Sequence, residues 1–254
     1  MRVAFIGKGG AGKSVIVGTF CRLLARSDHS PVVAIDSDTM PGLAYSLGVP
    51  STETMLDPDI VEEVGEEDDR TWVLREGLDP AGVVERYAVE GPDGVRLLQL
   101  GKLRGHARAI GPSFRAFRIL VQRLPETGWH LVGDLPGGTR QPFSGWAGFA
   151  DLVVVVAEAT PSSMLAARRL ARLAGTRHGP GEDRMVAIAN KVDDAADGDR
   201  LQQFCGLRVI GTVPADPSVR AAERSGVALL DASPDSPAVE AVTSLLHTIT
   251  AEAP

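Results

Sequence analysis

Cysteine is nearly missing from this chain. Only Cys21 and Cys205 occur, far apart and without CxxC or Cys/His spacing, a pattern that disfavours an intrinsic metal cage and suits a reducing compartment. Burial is the expected state of both thiols. Long apolar runs are also missing: the longest, 152–157, is far below the ~20 residues that a membrane-spanning helix needs, so no membrane role is expected. There is no excess of positive charge. A formal net charge of −7 argues against a surface that tracks a phosphate backbone throughout, and nucleic acid is not an expected partner. Arg2-Val3-Ala4-Phe5-Ile6 follows Met1 directly, leaving no room for a charged-then-apolar leader, and a cytoplasmic address is the expectation. Lysine is rare as well: four lysines stand against 22 arginines, and two of the four, Lys8 and Lys13, share one short loop.

What is present is an alternation of two patterns. Apolar runs rich in β-branched residues recur at 3–6, 32–35, 95–100, 130–132, 152–157, 185–189 and 208–213. Helical periods fall at 14–26, 112–124, 161–175, 199–204, 217–225 and 236–248. Such an order predicts an α/β fold, a three-layer sandwich with a mostly parallel sheet and helices on both faces. The 254 residues are expected to form a single domain. Residues 51–94, broken by proline and glycine, read as an irregular insertion, and its acidic cluster of Glu62, Glu63, Glu66, Glu67, Asp68 and Asp69 reads as a solvated face.

The loop Gly7-Lys8-Gly9-Gly10-Ala11-Gly12-Lys13-Ser14 fits G-x-x-x-x-G-K-[ST] and stands between a strand and a helix, where a phosphate-binding loop must be. Glycines let backbone amides crowd around phosphate oxygens, and the helix N-terminus adds a favourable field. Gly7, Gly9, Gly10, Ala11, Gly12 and Val15 are expected around the phosphates, with Lys13 on the β/γ oxygens and the Ser14 hydroxyl on magnesium. A compact ammonium fits between phosphate oxygens where a forked guanidinium would not, which explains the lysines here.

Three further segments end strands with polar residues. Asp36-Ser37-Asp38 follows the second strand, and carboxylates at the carboxyl end of a parallel strand beside a phosphate loop face the ligand crevice. Trp129 to Gly138 reads as a strand ending in Asp134 and a glycine-rich turn able to reorganise when a phosphate leaves. Asn190-Lys191-Val192-Asp193 suits recognition of a purine edge, because an amide both donates and accepts; N-K-x-D is also the guanine-reading motif of many GTPases.

The K-G-G-x-G-K-[ST] form of the loop resembles the deviant motif of the ParA, MinD, nitrogenase iron protein and CooC group of ATPases. That resemblance implies ATP or ADP with magnesium as cofactors and a homodimer formed with ATP, in which Lys8 reaches the nucleotide of the opposite subunit. It implies that Asp36 and Asp134 stand near magnesium with Ser14, and that Asp38 orients or activates the attacking water. Where Gly133 stands, the family more often has an aliphatic residue, so a locally loose strand is expected there. Pro214-Ala215-Asp216-Pro217-Ser218-Val219 resembles the P-x-D-x-x-V loop that covers adenine, which places Pro214 and Asp216 with Asn190 and Lys191 at the base.

Most of the chain resembles the CooC branch, which helps to insert nickel into carbon monoxide dehydrogenase. Arg86-Tyr87-Ala88-Val89 and the run from Gly94 to Lys102 look like that branch's strand pair, and residues 113–124 like its arginine-bearing helix. The branch's C-x-C is not here, since Gly105 to Pro112 contains no cysteine; a lone His106 does not replace a thiolate pair. Lys102, Arg104, Arg108, Arg115, Arg118 and Arg123 form the most basic stretch, read either as a partner surface or as a solvated face. The expected activity is therefore nucleoside triphosphate hydrolysis by a maturation factor acting on an unidentified client protein. A ParA- or MinD-type positioning ATPase and a GTPase resembling nickel factors are the other readings.

Overall fold

The computed structural model describes residues 1–38, 42–49, 56–66, 70–100, 110–125, 128–138, 145–176 and 181–252. The chain begins with β1 (Arg2–Ile6), α1 (Lys13–Ser27), β2 (Val32–Asp36) and α2 (Leu43–Leu47). It continues through β3 (Val61–Val64), β4 (Thr71–Leu74), α3 (Pro80–Tyr87), β5 (Val89–Glu90), β6 (Arg96–Gln99), α4 (Ile110–Arg123) and β7 (His130–Asp134). The second half holds β8 (Leu152–Ala157), α5 (Pro161–Ala174), β9 (Met185–Val192), α6 (Asp197–Cys205), β10 (Val209–Pro214), α7 (Pro217–Ser225), α8 (Leu229–Ala232) and α9 (Pro237–Glu252).

Eight strands form one sheet in the order β10-β9-β8-β1-β7-β2-β6-β5. All neighbours are parallel except the short edge strand β5, which runs antiparallel to β6. Every residue of β1 and of β8 is buried, as continuous apolar strands must be when helices cover both faces. Alternation sorts their side chains into two cores. Val3 and Phe5 meet Val17 and Phe20 of α1 and Val242 and Leu246 of α9. Ala4 and Ile6 belong to the other core, with Phe117 and Leu120 of α4, Ala167 and Leu170 of α5 and Leu201 of α6. The expected three-layer α/β architecture is what the structure shows. Helix α9, which carries no lysine or arginine, is a core element: Ala238, Val239, Val242, Leu245, Leu246 and Ile249 are buried. Both cysteines are buried, and burial pushes both thiols up in pKa.

Two expectations change. The stretch 51–94 is more regular, in its described residues, than its composition suggests. Strands β3 and β4 pair as an antiparallel hairpin, and α3 begins on Asp79, whose side chain accepts from Gly82 N at 3.1 Å, with Pro80 at the first helical position. The hairpin is fastened to α4 by the Arg115 guanidinium, 4.2 Å above the Trp72 ring, so one arginine of the basic stretch is engaged inside the molecule. Glu63 and Glu66 are exposed, as a solvated acidic face requires; Glu67, Asp68 and Asp69, like Lys102, Arg104, His106 and Arg108, lie outside the described residues. Strand β7 is not loose at Gly133. It is paired on both sides, with Ala4 and with Ile35, and the buried Phe149 ring occupies the space a side chain would need: a Cβ on Gly133 would stand 2.7 Å from Phe149 Cζ.

Candidate nucleotide-binding site

The turn from β1 into α1 brings Gly7 to Ser14 to the carboxyl edge of the sheet. Gly12 precedes α1 at φ 83°, ψ 14°, a left-handed conformation that glycine adopts without strain, and a Cβ there would fall on Asn190 Nδ2. Within the turn, Ala11 N donates to Lys8 O at 3.1 Å. The second glycine-rich segment comes close: a Cβ on Gly137 would meet Gly7 O and, at 2.7 Å, Gly9 N.

Lys13 and Ser14 open α1, and both lean on Asp134. Lys13 Nζ pairs with its Oδ1, and Ser14 Oγ donates to its Oδ2 at 2.6 Å. Asp134 and Asp36 end neighbouring strands at paired positions and are only 3% and 1% exposed. The Asp36 carboxylate accepts from Asp38 N at 3.0 Å and from Leu43 N at 3.1 Å. Burial, and next the negative charge of Asp134, push Asp36 up to about 7 against the pull of those amides and Lys13. Two buried carboxylates thus share one nearby ammonium, leaving negative charge to be neutralised. Hard oxygen donors of this kind, with the Ser14 hydroxyl, fit magnesium. Among the described residues no group of three or more His, Cys, Asp or Glu converges into a cage, and a magnesium ion that keeps waters and phosphate oxygens as ligands needs none.

Lys8 is exposed, its Nζ donating to Ser162 Oγ at 2.9 Å. Asn190 and Lys191, at the end of β9, turn to the loop backbone. Asn190 Nδ2 donates to Ala11 O at 2.6 Å, and Lys191 Nζ to Gly10 O and Glu158 Oε1, both at 2.7 Å. Asp216 caps α7, its two oxygens accepting from Ser218 N at 2.8 Å and from Ala238 N at 3.0 Å. Pro214 ends β10 opposite Val192.

Two adjoining cavities open over these residues. One of about 560 Å³ is lined by Lys8, Gly9, Gly10, Gly12, Lys13 and Ser14 with part of α2. The other, of about 700 Å³, shares Gly12, Val15 and Lys191 with the first and is walled by Asp193, Ala215, Asp216 and Pro217. The two cavities meet at the head of α1, where they share Gly12 and Val15.

Comparison with known proteins decides the family. The model of the CobQ/CobB/MinD/ParA nucleotide-binding domain matches residues 3–230. The chain belongs to this family. Among its relatives, the carbon monoxide dehydrogenase accessory protein CooC of Rhodospirillum rubrum is 29% identical over 250 residues, covering 92% of this chain and 91% of the relative. An uncharacterized ATP-binding protein of Methanocaldococcus jannaschii is 27% identical over 238 residues, covering 89% and 90%. Solved structures share the fold. A ParA family ATPase from Chlorobium tepidum superposes with a TM-score of 0.76 at 18% identity over 97% of both chains. MinD from Pyrococcus horikoshii, solved with Mg-ADP, superposes with a TM-score of 0.72 at 17% identity over 98% and 95%. The fold is that of the ParA and MinD P-loop nucleotide hydrolases. Among the described residues no helix is long and apolar enough to cross a membrane.

The structure brings Lys13, Ser14, Asp36 and Asp134 together, with Asp38 next to them on the chain and Lys8 at the rim. Ser162, in the first turn of α5, reaches Lys8 of the loop, and Glu158, on the turn between β8 and α5, reaches Lys191, which itself binds the loop backbone; neither was singled out by sequence. No motif marks them, because their partners are 154 and 33 residues away along the chain.

Proposed function

We propose that this family member is an ATP-dependent switch ATPase that dimerises with ATP and acts as an assembly or maturation factor on a client protein, the whole chain working as one domain. The observation that carries the reading is the convergence of Lys13 and Ser14 on buried Asp134 at the head of α1, with Asp36 in register beside it. On binding, the loop amides and Lys13 take the triphosphate oxygens, and Lys13 exchanges its carboxylate partner for them. Ser14, Asp36 and Asp134 would hold magnesium, which supplies charge neutralisation on the phosphates. Asp38, tied through its amide to Asp36, orients the attacking water as an acceptor. ATP is favoured as the nucleotide, with adenine in the larger cavity beside Asp193, Ala215 and Pro217 and with Asp216 shaping the wall.

Lys8 gives the switch its second subunit. Its ammonium is exposed and its partner is a neutral hydroxyl, so water can replace that bond and transfer to the phosphates of a second copy's nucleotide costs little. The client role is supported by the similarity to CooC along nearly the whole chain. With no cysteine between Gly105 and Pro112, the client is handled without the C-x-C thiolates.

Size-exclusion chromatography of the wild type, Asp38→Ala and Lys8→Ala with ATP and magnesium tests the reading. Asp38→Ala is expected to accumulate as an ATP-bound dimer, and Lys8→Ala to stay monomeric and hydrolyse poorly. If wild type and Asp38→Ala both remain monomers with ATP, the dimer switch is wrong.

A further inference from the structure

Asn190 and Lys191 occupy the place of a base-reading motif, yet their side chains grip two consecutive carbonyls of the phosphate loop. In a planar trans peptide the C=O and the following N–H point in opposite directions. Asn190 on Ala11 O therefore turns the Gly12 N–H away from Asn190. Lys191 on Gly10 O sets the Ala11 N–H, which closes the internal turn on Lys8 O. Lys191 does this from φ 56°, a left-handed conformation that a residue with a side chain holds only under constraint. Its ammonium is steadied from the far side by Glu158 Oε1, whose own backbone N–H is fixed by Ser163 Oγ at 3.0 Å. Lys191 is thus the third of only four lysines to reach this loop.

We infer that Glu158 and Lys191 are a positioning pair for the phosphate loop: Lys191 holds the Gly10 carbonyl, Glu158 holds Lys191, and neither reads the base. This rests on the loop being a triphosphate site. It adds a residue, Glu158, that no motif points to, and it moves nucleotide choice away from Lys191 toward the walls of the larger cavity.

Calorimetric titration with Mg-ATP, Mg-GTP and inorganic tripolyphosphate, which has no base, tests the inference. Lys191→Ala is expected to weaken tripolyphosphate and ATP by the same factor, about tenfold, as loss of an outer-shell partner does at other sites, with the ATP/GTP ratio unchanged. Glu158→Ala is expected to weaken both in the same direction, although removing a carboxylate near a phosphate site strengthens anion binding by charge alone. Glu158→Gln, which keeps an acceptor oxygen, restores most of the affinity. Loss confined to the nucleotides, with tripolyphosphate unaffected, would make Lys191 a base reader and overturn the inference. Tighter tripolyphosphate binding by Glu158→Ala would overturn it as well. Wild-type protein that binds none of the three would instead remove the triphosphate site itself, and the inference with it.

Discussion

Gly133 and Phe149 form a pair whose coupling follows from geometry. A Cβ on Gly133 would stand 2.7 Å from Phe149 Cζ, 3.3 Å from Cε1 and 3.6 Å from Leu135 Cδ2. Favourable carbon contacts begin near 3.5 Å, so Gly133→Val drives the ring out of place, an overpacking that costs about 2 kcal/mol. Phe149 is 4% exposed, and truncating it leaves a cavity worth about 3–5 kcal/mol. In the double variant the valine enters the space the ring has vacated. The overpacking cost then disappears and part of the cavity is refilled, so the pair should destabilise by about 2 kcal/mol less than the sum of the singles. Thermal unfolding followed by circular dichroism reads this directly, since 1 kcal/mol moves the midpoint by about 2–4 °C in a chain of this size. Additivity within about 0.5 kcal/mol would refute the claim that the glycine exists to seat the ring, and would return strand β7 to the loose state its sequence suggests.

Asp36 should make the nucleotide-free protein less stable as pH rises. Its carboxyl is pushed up to about 7 by burial first and Asp134 second, so the folded state holds its proton more firmly than the unfolded chain. Its penalty is absent below the unfolded value near 4 and complete above pH 7. Relative to wild type, Asp36→Asn should therefore gain stability between pH 5 and pH 8, by a few kcal/mol at about 1.4 kcal/mol per unit of displacement; a difference independent of pH across chemical denaturation curves would reject the cause. Arg22 behaves in the opposite sense. Its nearly buried guanidinium binds Asp231 with two bonds of 2.6 and 2.7 Å and Asp93 with one of 2.7 Å. The Arg22 bonds head the causes that hold Asp231 down, while at Asp93 bonds from Arg26 and Arg22 outweigh the effect of burial. This stability is present above pH 4 and lost as pH falls through the depressed values. Arg22→Met should cost about 2 kcal/mol at pH 7, because both carboxylates retain some solvent, and the deficit should shrink below pH 4 in urea titrations.

Much of the candidate site is local in sequence, and that part was legible. Gly12, Lys13 and Ser14 must be adjacent to cradle phosphate at a helix start, and Asp36 and Asp134 each follow an apolar strand, so the strand-then-carboxylate pattern reveals them. Hairpin β3–β4 was not legible, because four-residue strands interrupted by glycine and acidic residues carry no period long enough to stand out. The Asn190-Lys191 pair was legible as a motif, while its contacts with the carbonyls of Ala11 and Gly10 were not. A motif records residue types and spacing, while the direction of a side chain depends on which backbone lies across the sheet edge.

What the sequence determined by itself is the layered α/β plan and the glycine-rich loop between β1 and α1, because each rests on periodicity or on neighbours within eight residues. Tertiary structure alone decided that Asp36 and Asp134 end side by side, that Phe149 fills the gap at Gly133, and that Glu158, Ser162 and Lys191 bracket the loop. These depend on strand order, and β1 lies between β7 and β8, whose residues stand 129 and 149 places along the chain from their partners in β1; no local pattern encodes a neighbour that arrives from so far away.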